Sequence, residues 1–98
     1  MMVIEPSQIE FTRECNVIIG NVTDNDIDLF FSPDDDDDVF VRFPVEARFP
    51  EIMHAFGFFK SKSQARKNGW DKDVPEGFWN KDKVGKLNRQ VTILKITE

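Results

Sequence analysis

Tyrosine is missing from this chain, and cysteine and histidine occur once each, as Cys15 and His54. A lone thiol cannot close an internal disulfide, which excludes a disulfide-stapled secreted scaffold. The five glycines are scattered, so there is no glycine-rich phosphate loop, and neither a nucleophile elbow nor a metal-ligand set can be read. Nothing in the sequence brings Cys15 and His54 together as a catalytic pair, and a cysteine in a β-branched run is ordinarily a buried small apolar residue. No apolar run approaches the roughly 20 residues of a membrane span, and no basic patch followed by an apolar run opens the chain. The expectation is a soluble, cytoplasmic, non-enzymatic protein without cofactor, metal or membrane partner.

What the chain does have is phenylalanine and charge. Ten Phe and two Trp in 98 residues supply large apolar areas to a core that a chain of this length otherwise builds with difficulty. The length fits one domain over residues 1–98. The net charge of −5 is unevenly distributed. Residues 1–50 carry twelve acidic and three basic side chains, and residues 51–98 carry six acidic and ten basic. Such asymmetry points to a charged partner, to attraction between the two halves, or to two separately solvated faces.

Local patterns predict an α+β domain: a small antiparallel sheet with two short helices packed on one face. Met2 to Glu5, Asn16 to Thr23, Ile27 to Phe31 and Val39 to Phe43 read as strands. The last two flank a loop of five aspartates (Asp34, Asp35, Asp36, Asp37 and Asp38) and are expected to form a hairpin. Alternation places Val39, Val41 and Phe43 on one face. After Pro50 the pattern becomes helical, with Ile52, Met53, Phe56 and Phe59 in a stripe, Glu51 near the positive end and Gly57 as terminator. A second helix starts near Ser61 or Ser63 and closes at Asn68-Gly69; Gln64 completes a capping box with Ser61. Trp70 to Asn80 reads as an irregular loop. In the strand Val91 to Ile96, Val91, Ile93 and Lys95 face one way and Thr92, Leu94 and Ile96 the other.

The stretch from Phe58 to Gly69 carries the strongest functional signal. Lys60, Lys62, Arg66 and Lys67 crowd beside two serines at a helix start, a combination suited to phosphate groups. Here the sequence resembles the S4-type RNA-binding module, through Gly57, Ser61, Ser63, Ala65 and Arg66 after a small apolar helix containing Ile52, Met53 and Phe56. Val84-Gly85-Lys86 and the strand Val91 to Ile96 loosely resemble its closing strands. The resemblance covers roughly residues 50–96. It implies that Lys62, Arg66 and Lys67 face an RNA backbone. The expected nucleic-acid contact set is Lys60, Lys62, Ser63, Arg66, Lys67, Lys83 and Lys86, with RNA favoured. Trp70, Phe78 and Trp79, interleaved with Lys72, Lys81, Lys83 and Lys86, suit base stacking or, as tryptophans in small domains more often do, core packing.

The acidic half offers an alternative: a protein-binding inhibitor or adaptor whose Asp34–Asp38 run occupies a basic site on a partner protein. Asp24, Asp26 and Asp28 have the spacing that opens a calcium loop, but Leu29 stands where that loop requires glycine and Asp35 where it requires glutamate. An EF-hand is therefore excluded.

Overall fold

The computed structural model describes residues 2–9, 15–31, 38–84 and 89–97. The elements run β1 (Met2–Ile4), β2 (Cys15–Gly20), α1 (Asp24–Phe31), β3 (Val39–Phe43), α2 (Phe49–Ala55), α3 (Lys62–Ala65), β4 (Gly77–Val84) and β5 (Arg89–Ile96). The architecture is α+β, with five strands in the order β1-β3-β2-β5-β4. Among the described residues, three of the four strand pairings are parallel and that of β4 with β5 is antiparallel.

That sheet departs from expectation in three ways. Ile27 to Phe31, expected as a strand, belongs to α1. A short run such as Ile-Asp-Leu-Phe-Phe satisfies either period, and its cap decides between them. Thr23 Oγ1 accepts from the Asp26 backbone N–H, and Asp26 Oδ2 accepts from the Thr23 backbone N–H. This reciprocal box fixes a helix start. The hairpin around the aspartate run consequently does not exist. With a helix in the connection, β2 and β3 run parallel, as a crossover allows. Finally, Gly77 to Asn80, expected as irregular, forms the first half of β4.

The two expected helices, α2 and α3, do pack on one face of the sheet, and α1, expected as a strand, covers the other. Ile27 of α1 packs with Ile18, Phe40 and Leu94 on one side. Phe49, Ile52 and Met53 of α2 and Ala65 of α3 pack on the other, over Val17, Ile19, Val41, Phe43, Val91 and Ile93. Strand alternation explains the partition. Val41 and Phe43 face α2 while Phe40 faces α1; Val91 and Ile93 face α2 while Leu94 and Ile96 face α1.

The C-terminal helices follow the sequence closely. The Arg48 backbone N–H donates to Glu51 Oε2 at the start of α2, and Pro50 occupies its first turn. Ser61 Oγ accepts from the Gln64 backbone N–H and caps α3. A π-type turn, Arg66–Trp70, continues α3 and leaves helical geometry at Asn68 and Gly69. No described helix is long and apolar enough to cross a membrane.

Cys15 is buried at the start of β2. Burial pushes its thiol pKa above the ordinary 9.0, and the neighbouring Arg89 guanidinium offsets this in part. A thiol held protonated is a poor nucleophile. Native protein near neutral pH is therefore expected to resist Ellman's reagent and to react fully once denatured. Because the unfolded thiol ionises first, folding stability should decline as pH rises past 9.0. Prompt reaction of the native protein would contradict this assignment.

Candidate nucleic-acid interface

A cleft of about 660 Å³ opens between the α3 region and β4. Phe58, Phe59 and Lys60 enter it from the segment after α2, Gln64, Asn68 and Trp70 from α3 and its turn, and Lys81, Lys83 and Val84 from β4. The described lining contains three lysines and no carboxylate. Lys60, Lys81 and Lys83 are exposed, and among the described residues the carboxylate ion pairs are those of Arg48. None of the three is therefore paired with a carboxylate among the described residues.

The sheet explains how Lys81 and Lys83 reach this side. Phe78 lies opposite Leu94 and Asn80 opposite Thr92, so both face α1; Trp79 opposite Ile93 and Lys81 opposite Val91 face α2. A bulge between Lys81 and Val84 then shifts the register. Lys83 within it has φ +59°, alone among the described non-glycine residues in being positive. A side chain in left-handed backbone costs roughly 1–2 kcal/mol. Here that conformation accompanies the placement of a third cation on the cleft wall.

Aromatic rings pack beneath the cleft. Phe49, Trp70 and Trp79 contact one another with ring centroids 4.9–6.2 Å apart. Lys72 and Lys81 lie over the Trp70 ring, at 5.3 and 5.1 Å from its centroid. Trp70 is buried, so it serves as core and as cleft floor together. Half-buried Phe59 is the more accessible ring in the cleft. Behind this wall, Arg89 is buried in the sheet with its guanidinium 5.8 Å from the Phe58 ring centroid. The segment joining Trp70 to β4 is strapped to the start of α2. Arg48 Nε donates to Asp73 Oδ1 at 2.7 Å, Arg48 Nη1 to Asp71 Oδ1 at 3.2 Å, and the Phe49 backbone N–H to the Lys72 carbonyl. The hydrogen bond to Asp73 is the main reason the Arg48 guanidinium holds its proton above its ordinary range. Exposed pairs of this kind add little stability, but these position the Trp70–Lys72 corner.

The expected contact set is partly assembled here. Lys60 and Lys83 line the cleft, joined by Lys81, which was not in that set. Lys62 lines a separate pocket of about 340 Å³ with His54 and with Glu46 and Glu51, whose carboxylates give that pocket negative charge. Ser63, Arg66 and Lys67 are exposed on α3 and its turn and line neither cavity. Lys86 and Asp34, Asp35, Asp36 and Asp37 lie outside the described residues. Asp38 is half-buried, and its carbonyl accepts from the Met2 backbone N–H. Of the aromatics, Trp70 lines the cleft and half-buried Trp79 packs against its floor, while Phe78 lies on the opposite face of the sheet. Lys81 was legible in principle: once β4 is recognised, alternation through Phe78, Trp79, Asn80 and Lys81 sets its side. Comparison of the chain with protein-family models, with curated proteins and with solved structures gave no match.

Proposed function

We propose that this protein is a non-enzymatic nucleic-acid-binding module whose cleft takes a single strand, RNA in preference. The observation that carries this is the convergence of Lys60, Lys81 and Lys83, from two segments distant in sequence, on an aromatic-floored cleft without a described carboxylate. The cations would hold phosphates while Phe59 offers a ring to a base. The preference for RNA rests on the resemblance of Gly57, Ser61, Ser63, Ala65 and Arg66 to the S4-type module. In that reading Arg66 and Lys67 extend the positive surface outward from the cleft.

The test is fluorescence anisotropy with labelled single-stranded RNA and DNA of about 15 nucleotides. Three phosphate contacts imply a log–log salt slope near −2, so affinity should fall roughly 20-fold between about 50 and about 200 mM salt. Replacing Lys60, Lys81 and Lys83 together by Glu should lower affinity at least tenfold at the lower salt. The triple variant Lys62→Glu, Arg66→Glu and Lys67→Glu should cost only about threefold, because those residues lie beside the cleft rather than in it. Absence of binding to either polymer at low salt would refute the proposal. A larger loss from the helix variant than from the cleft variant would move the site to α3.

A further inference from the structure

On the face opposite the cleft, the sheet carries a second surface of reversed charge. Leu29 and Phe30 of α1 are 74% and 42% exposed, and Phe78 of β4 is 46% exposed. Phe30 stacks on Phe78 with centroids 5.9 Å apart, so the apolar surface runs continuously from the helix to the edge strand. Phe31 meets Phe78 edge-on at 5.6 Å and supports it from the sheet side. α1 carries Asp24, Asp26 and Asp28 and no basic side chain, and at about 100° per residue Asp26 and Asp28 lie on either side of Leu29 on the helix surface. Large apolar side chains presented together and edged by charge mark an interaction surface.

We infer that the occupant is the basic cleft of a second copy of this chain. Charge complementarity chooses it. Two α1 surfaces meeting face to face would oppose Asp26 and Asp28 with themselves, which disfavours a two-fold symmetric contact. The cleft offers the reverse: Lys60, Lys81 and Lys83 around an aromatic floor, and a concavity of about 660 Å³ that can receive Leu29 and Phe30. Both surfaces belong to one chain and lie on opposite faces of the sheet. β4 contributes Phe78 to one and Lys81 to the other by simple alternation. A contact between unlike surfaces leaves one of each free at the ends, so it extends into a chain or closes into a ring. This inference uses the same cleft as the proposed nucleic-acid site, and it predicts that strand binding and self-association compete.

Sedimentation equilibrium of nucleic-acid-free protein tests it. At about 50 mM salt the weight-average mass should rise with concentration past twice that of the monomer, and added salt should reverse the rise. The variant Asp28→Lys with Leu29→Lys removes the acidic apolar side, and Lys81→Glu with Lys83→Glu removes the cleft. Each alone should be monomeric. Mixed in equal amounts, they should form a one-to-one complex that grows no further, since one retains the cleft and the other retains the helix. Circular dichroism checks that both variants are folded; all four positions are exposed. A wild-type protein that stays monomeric overturns the inference, as does a mixture that fails to associate or association that persists in either variant. The Asp28→Lys, Leu29→Lys variant retains the cleft and should still bind RNA, so failure of assembly is distinguishable from failure of strand binding.

Discussion

Replacing Phe49 by Ala is expected to cost about 3–5 kcal/mol of folding stability, the range for truncating a fully enclosed aromatic. Phe49 is 1% exposed at the first turn of α2. Its ring lies 5.2 Å from Trp70 and 4.9 Å from Trp79, and Lys72 Nζ sits 5.6 Å from its centroid. One side chain therefore joins α2 to the corner before β4 and to β4 itself. Close-packed neighbouring rings relax only in part into the space left behind. With total stabilities of about 5–15 kcal/mol usual for native proteins, the variant should be close to half unfolded at moderate urea. Urea titration followed by tryptophan fluorescence reads the loss directly, because both tryptophans report on the site. Phe78→Ala, at a half-exposed ring on the other face, should cost about 1 kcal/mol. Similar costs for the two would mean that Phe49 does not organise the cleft floor.

The second large effect is at the end of β2. Gly20 has φ +83°, and a Cβ there would sit 2.1 Å from the Ile96 carbonyl oxygen. The surroundings have little room to yield. The Ile96 carbonyl accepts from the Asn21 backbone N–H at 2.7 Å, and Arg42 Nη1 and Nη2 donate to the carbonyls of Gly20 and Val22. Gly20→Ala should cost about 3 kcal/mol, combining roughly 1–2 kcal/mol for the left-handed backbone with a similar amount for displacing the β2–β5 ladder. At about 4–8 °C per kcal/mol for a domain of this size, the melting temperature should drop by roughly 15 °C. Gly57→Ala is the control. It has nearly the same φ, +80°, but nothing lies within 4 Å of the point its new methyl group would occupy. It should show the backbone cost alone, about 1–2 kcal/mol. Equal losses at the two glycines would remove the steric argument.

The structure bears out the sequence reading where spacing and punctuation agree. Val91 to Ile96 alternates as expected, because a strand with apolar residues on both faces is covered on both faces. Pro50, Glu51 and Gly57 bracket α2, and Ser61 caps α3, since these residues act through neighbours within one turn. α1 was missed for a reason visible in the residues. Ile27, Leu29, Phe30 and Phe31 suggest a strand by composition, while Thr23 and Asp26 had already written the helix start just upstream. β4 was obscured by Pro75-Glu76-Gly77 ahead of it, and because an edge strand with an exposed outer face lacks the apolar alternation that marks a half-buried one. Of the cleft, Lys60 and Lys83 were legible as cations. Their meeting was not, because 22 positions along the chain separate them.

Chemistry that acts between near neighbours was therefore settled by residue order: the helix caps, the alternation of β3 and β5, the buried single thiol and the segregation of acidic from basic side chains. Strand direction, the division of helices between two faces, and the choice of which lysines share a groove required the folded chain. Those properties depend on contacts between residues far apart in sequence, and a short apolar run or an isolated lysine is compatible with several such arrangements until the rest of the core selects one.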